Sequence, residues 1–388
     1  MARFSILLLI LSSLLGYSQT PTPSHIKLGI EQMDAYLPLL ENKRVGLLVN
    51  QTSTWSGIHL VDLLQSLRDK KVNIKKILTP EHGFRGDADA GEKVGDSVDP
   101  KTGLPIVSLY GANRKPTPAQ LADLDVIVFD IQDVGARFFT YISTMHLVME
   151  ACAENKKQLI ILDRPNPNSY VDGPVKSPDL KKNFLAMHPV PITHGLTVGE
   201  YAQMINGEGW LEGGKKCDLK VIKLKGWTHI DPFSIKIKPS PNLPNDHAIA
   251  MYPSTCLLEQ TAVSVGRGTQ TPFEVLGSPD LKDQPYQFTP TDIKGMAVDP
   301  PYENQVCYGI DLRNEPAPRK VSLKYIIDMY TIYPDKEKFF GKNFDNIVGN
   351  STLKEQIKQG MTEEQIRETW QKDLNAYKEM RKKYMLYP

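Results

Sequence analysis

Continuous apolar runs alternate with helical patterns, polar residues follow each run directly, and a Pro-rich break interrupts the chain near residue 239. Together these predict an α/β protein, with a Rossmann-like parallel sheet domain and a second, smaller α+β C-terminal domain. A chain of 388 residues buries a large core, and two domains are the expectation from its length. The first is placed at residues 25–238 and the second, completing a cleft, at residues 239–388.

The elements follow in order. Residues 1–19 read as a secretory signal: Arg3, an apolar core from Phe4 to Leu15, then Gly16-Tyr-Ser-Gln19. That core is too short for a stable membrane-spanning helix, and no Cys follows it for lipid attachment. After a Pro/Thr linker (Thr20 to Ser24), Arg44-Val-Gly-Leu-Leu-Val-Asn50 reads as a buried strand and Ile58 to Lys70 as a helix. The strand Ile74 to Thr79 comes next, then a long loop to Leu104 and the strand Ile106 to Tyr110. Pro118 to Leu124 is a short helix opened by Thr-Pro, since proline suits a first turn. Asp125-Val-Ile-Val-Phe-Asp-Ile131 is the clearest strand, followed by a helix from Tyr141 to Asn155 and the strand Gln158 to Asp163. Beyond the rigid connector Pro239-Ser-Pro-Asn-Leu-Pro244, a strand at Val306 to Asp311 mixes with helices at Val321 to Tyr330, Thr352 to Gln359 and Glu363 to Tyr384.

Composition narrows the function. Without Arg3, the 46 basic residues become 45 against 45 acidic ones, so the exported chain is near neutral. Nucleic acid and anionic membrane both select a basic surface and are not expected partners. The four cysteines (Cys152, Cys217, Cys256 and Cys307) lack CxxC spacing, and most are expected to be buried free thiols, with no metal. No cofactor is expected either. The first strand is not followed by G-x-G-x-x-G, and the chain has no G-x-x-x-x-G-K-[ST]. Asp96-Ser97-Val98-Asp99 lacks the closing Gly of a nucleophile elbow and does not follow a strand, so a serine esterase or amidase is not supported.

In open α/β sheets ligands bind beyond the carboxyl ends of the strands. Thr79-Pro-Glu-His-Gly-Phe-Arg-Gly86 and Gly91-Glu-Lys-Val-Gly-Asp-Ser97 carry Glu81 and Glu92 to that edge. Paired carboxylates in a cleft suit acid/base work on a glycosidic bond; the competing reading makes both loop partners of Arg85 and Lys93. His82, Asp87 and Asp89 add hard ligand types, yet no helix fixes their spacing, and a solvated acidic loop is the simpler reading. Asn50, Asp130, Gln132, Arg137, Asp163 and Arg164 follow strands and are placed to hold sugar hydroxyls. For Asp133 and Arg137 an (i, i+4) ion pair at a helix start competes with that role, and a structural salt bridge competes equally for Asp163-Arg164. His194, Asn242, Glu259 and Arg267 lie in turn-rich segments, where capping and turn chemistry compete with binding. Tyr110 and Trp227 are sugar platforms or core aromatics.

Eight segments in order resemble the exo-β-N-acetylmuramidases of glycoside hydrolase family 171. They are Lys43 to Thr52, Pro80-Glu-His-Gly83, Gly91 to Ser97, Asp130-Ile-Gln-Asp-Val-Gly-Ala-Arg137, Leu162-Asp-Arg-Pro-Asn-Pro167, His194 to Glu200, Pro239 to Pro244 and Gly266-Arg-Gly-Thr269. The resemblance implies removal of terminal N-acetylmuramic acid from the non-reducing end of peptidoglycan fragments, in a cleft between two domains. It also implies Glu92 as the leading catalytic carboxylate with Glu81 beside it. The lactyl carboxylate of such a substrate suits an arginine fork, with Arg137, Arg164 and Arg267 as candidates. A non-catalytic periplasmic protein that captures muropeptides is the rival reading, since two domains and a cleft serve it equally well.

Overall fold

The computed structural model describes residues 26–67, 71–81, 83–84 and 97–388, so the signal segment lies outside the described residues. One sheet is built from β1 (Arg44–Val49), β2 (Asn73–Thr79), β3 (Ser97–Val98), β4 (Pro105–Ser108), β5 (Val126–Asp130), β6 (Gln158–Leu162) and β7 (Asp218–Ile222). The order across it is β7-β6-β5-β1-β2-β4-β3, and only the two-residue edge strand β3 runs antiparallel to its neighbour.

The period of two in a strand divides the core into two layers. Val45, Leu47, Val49, Val126 and Val128 pack on one face against helices α1 (Met33–Leu40) and α2 (Leu60–Ser66). Leu48, Ile127, Phe129, Leu159 and Ile161 point to the other face, where α3 (Tyr141–Glu154) and α4 (Val198–Gly207) lie. Both faces are thus covered, which is why the strands read as unbroken apolar runs.

The C-terminal region carries α5 (Asp246–Thr255), α6 (Lys324–Ile332), α7 (Glu363–Lys382) and an antiparallel sheet of β8 (Val275–Ser278), β9 (Tyr286–Phe288) and β10 (Cys307–Asp311), ordered β8-β10-β9. Helix α7 opens on a Thr362/Gln365 capping box and buries Ile366, Trp370, Leu374 and Tyr377, a stripe at helical spacing. Those residues join the same apolar cluster as the second face of the large sheet. One core therefore runs through both regions.

Some elements differ from expectation. Helix α2 starts at Leu60 because Thr54–Trp55 and Ile58–His59 first pair as a hairpin, and the His59 Nδ1 then accepts the Val61 N–H at 3.2 Å. Strands β7, β8 and β9 were not anticipated: β7 alternates exposed and half-buried residues at the sheet edge, and β8 and β9 are short. The four cysteines are free and buried, as expected.

Strand β1 has β2 on one side and β5 on the other, and the chain leaves β1 toward one and returns to the other. Their loops diverge there. This reversal opens a crevice at the carboxyl ends, the position where such sheets bind ligands.

Candidate active site

Glu81 follows β2 after the single residue Pro80, and the last three residues of that strand are buried, so the sheet fixes where its backbone emerges. Phe138, Phe139 and Thr140 lead from β5 into α3, which begins at Tyr141. From the C-terminal region come Tyr252 and Cys256 at the end of α5, then Glu259 and Arg267. With Leu185, Ser240 and Ile347, these residues line a cavity of about 150 Å³ between the sheet edge and the C-terminal region.

The hydroxyls of Thr140 and Tyr110 interact with the Glu81 carboxylate. Thr140 Oγ1 donates to Glu81 Oε2 at 3.3 Å. Burial, and then the neighbouring Glu81 charge, push the Tyr110 hydroxyl up to about 12. The same two causes raise Tyr141, whose hydroxyl donates to the Pro239 carbonyl at 2.8 Å and ties the start of α3 to the Pro-rich connector. Across the cavity Arg267 Nε donates to Glu259 Oε1, and the Cys256 thiol donates to Glu259 Oε2 at 3.3 Å. Burial opposes the Arg267 charge, but the Glu259 carboxylate outweighs it and holds the guanidinium protonated. Glu259 and Arg267 thus form a fixed ion pair, whereas no cation among the described residues pairs with Glu81.

The other predicted residues fall into two groups. Asn50, Asp130, Gln132 and Arg164 meet at the switch point. The Asn50 side-chain oxygen accepts from Thr52 N at 2.9 Å and Thr52 Oγ1 at 2.6 Å, an Asx turn, and its buried Nδ2 has no partner among the described residues. Gln132 N donates to Thr52 Oγ1 at 3.0 Å, while its Nε2 donates to the Asp133 and Pro165 carbonyls. The Arg164 guanidinium pairs with buried Asp130 through Nε and through Nη2, the latter at 2.9 Å. Arg164 therefore bridges two strands instead of pairing with its neighbour Asp163.

Arg137, Asp163, His194 and Asn242 sit in buried networks. Arg137 donates to the main-chain carbonyls of Pro174, Val190 and Val348. The (i, i+4) pair with Asp133 does not form, because residues 131–140 are not helical. Asp133 instead accepts from Gly135 N at 2.6 Å. The Asp163 carboxylate takes the Thr197 hydroxyl at 2.8 Å, Gly199 N at 2.8 Å and the Tyr387 hydroxyl at 2.5 Å, which docks the N-terminus of α4. His194 accepts from Leu196 N at 3.2 Å, and burial, then Arg381 and Arg137, lower its pKa to about 3. Asn242 Nδ2 donates to the Met296 carbonyl at 2.6 Å. Trp227 is buried against Tyr387. Glu92 and His82 lie outside the described residues.

Sequence reasoning passed over Phe138, Phe139, Thr140, Tyr141, Tyr252 and Ser240 as site residues. Their signal was available: Phe138-Phe-Thr-Tyr141 directly follows the polar loop after the clearest strand. Among the described residues, one carboxylate cluster has metal-ligand reach, Glu150, Glu154 and Glu212. It lies at the opposite end of the helix that Tyr141 begins, where Lys115 pairs with Glu150 and Glu154 and Lys215 with Glu154.

A parallel sheet covered on both faces, with a carboxylate at its carboxyl edge and a second domain closing the cavity, defines a two-domain α/β protein built to enclose a small polar ligand. The chain belongs to the exo-β-N-acetylmuramidase NamZ family: its residues 45–247 match the N-terminal model of that family and residues 250–387 the C-terminal model. It is 35% identical to the peptidoglycan β-N-acetylmuramidase NamZ of Bacillus subtilis (strain 168), over 95% of this chain and 93% of that one. Two crystal structures of DUF1343 family proteins from Bacteroides fragilis are similar. One has a TM-score of 0.87 at 41% identity and the other 0.77 at 34%, each covering 94% of this chain and 99% of its own.

Proposed function

We propose that this protein is an exo-acting glycoside hydrolase that releases terminal N-acetylmuramic acid from the non-reducing end of peptidoglycan fragments. The name and extent of the Bacillus subtilis relative support the substrate, and both family models support the activity. The observation that carries the chemistry is Glu81, which accepts from the Thr140 hydroxyl and lines the cavity between sheet and C-terminal region. The position of this cavity between the sheet edge and the C-terminal region suits a chain end better than the interior of a chain. Glu81 is assigned as the proton donor to the leaving sugar oxygen, and Glu92 as the second carboxylate. Tyr141 and Asn50 are assigned to holding substrate hydroxyls or the acetamido group. The N-terminal signal pattern supports export to the periplasm, where cell-wall fragments arise.

The test is incubation with N-acetylmuramyl-β-1,4-N-acetylglucosamine and mass spectrometry of the products. Both monosaccharides are expected from the wild type, and neither from Glu81→Gln or Glu92→Gln. Tight binding without release would instead make the protein a muropeptide-capture protein. Anomer analysis by NMR reads the stereochemistry: inversion requires carboxylates about 6.5–9.5 Å apart and retention by a nucleophile about 5 Å, while retention without a second carboxylate marks the acetamido group as nucleophile.

A further inference from the structure

We propose that a second hollow beside the cleft is a subsite for an acidic sugar residue two units beyond the one removed. This rests on the glycosidase reading above. The hollow has a volume of about 370 Å³ and lies at the same switch point, lined by Trp55, Phe233, Ile235, Ile237, Arg164 and Lys236 among others.

Its walls and floor have distinct chemistry. Along segment 233–237 the exposed Lys236 borders the hollow, and Phe233, Ile235 and Ile237 are half-buried and line it as well. With Trp55 they form an apolar, partly aromatic wall of the kind on which a pyranose ring stacks. Arg164 is 5% exposed; Nε and Nη2 hold Asp130, and Nη1 has no partner among the described residues. Lys236 stands exposed at the rim, also without an ion-pair partner among the described residues. An aromatic wall with an arginine edge and a lysine rim selects a carboxylate-bearing sugar over a neutral one.

Geometry and charge set which sugar this is. The connector that lines the hollow at Ile237 lines the Glu81 cavity at Ser240. Three residues span at most about 10 Å, which leaves room for up to two linked pyranose rings, and the cationic lining selects the acidic one. In a chain alternating N-acetylmuramic acid with N-acetylglucosamine, the residue two units from the terminus again carries a lactyl carboxylate. The hollow therefore accepts the next muramic acid of a longer fragment.

Steady-state rates on the disaccharide N-acetylmuramyl-N-acetylglucosamine and on its doubled tetrasaccharide test this. Wild type is expected to show a kcat/KM about tenfold higher on the tetrasaccharide, the size of one charge-assisted contact. Lys236→Glu and Trp55→Ala should each bring that ratio toward one, as should reducing the distal lactyl carboxylate to an alcohol. Lys236 is exposed, so its replacement keeps the fold. Equal rates on both lengths in wild type, or variants that slow both substrates alike, overturn the subsite alone. No release from either substrate overturns the glycosidase reading, and the subsite falls with it.

Discussion

Glu81 owes its position to one strand and its surroundings to another. Strand β2 delivers it to the sheet edge, and the segment after β5 supplies Thr140 and Tyr141 beside it. Removing the Tyr141 hydroxyl by Tyr141→Phe should lower kcat by about ten- to a hundredfold with the fold retained, as far-UV circular dichroism of the purified variant would show. A second residue makes a prediction about stability. Burial pushes the Asp133 carboxyl up to about 7, with the Gly135 and Val134 amides pulling the other way. The folded state therefore holds this proton more tightly than the unfolded chain, whose carboxyl titrates near 4. Its stabilising contribution is complete below about pH 4 and is lost as pH rises to about 7. Urea midpoints across that window should decline less steeply for Asp133→Asn than for wild type; parallel declines would remove Asp133 as a cause.

At the scale of elements, the turn after β5 is the most constrained piece of the site. Gly135 has φ of +79°, and a Cβ there would lie 2.1 Å from the Asn166 side chain. Asn166 in turn donates to the Leu196 carbonyl at 2.9 Å, so it has little room to yield. Gly135→Ala should cost about 1–3 kcal/mol in urea unfolding, and an unchanged midpoint would show that the turn relaxes freely. The same turn shows what sequence could and could not reveal. Strand β5 was legible because both of its faces are apolar and buried. The loop after it was placed correctly at the sheet edge, but its side chains were not, since Asp133 and Arg137 have the spacing of a helical pair in a segment that is not helical. Burial separated them: Arg137 went to three carbonyls brought in by distant segments, contacts that no local pattern encodes. Arg164 likewise found Asp130 across the sheet rather than Asp163 next to it. The short strands β8 and β9 escaped notice because three or four residues are too few to show a period.

At the scale of the molecule, one apolar cluster joins the second face of the sheet to α5, α7 and the helices near residues 344–357. Arg367 reinforces this union, its Nη2 donating to both oxygens of buried Asp172 at 2.8 and 2.9 Å. A shared core predicts that both regions unfold together. Far-UV circular dichroism and tryptophan fluorescence should give superimposable urea curves, and two separated transitions would show independent domains. The union also explains why the Glu81 cavity has a defined shape, since its two walls belong to one packed body. The most direct measurement on that cavity is a paired one on Glu81→Gln: turnover of N-acetylmuramyl-β-1,4-N-acetylglucosamine and affinity for the same disaccharide. Turnover reduced by about a hundredfold or more with affinity retained is the predicted result. Turnover close to that of the wild type would contradict the assignment of Glu81 and move the chemistry elsewhere on the sheet edge.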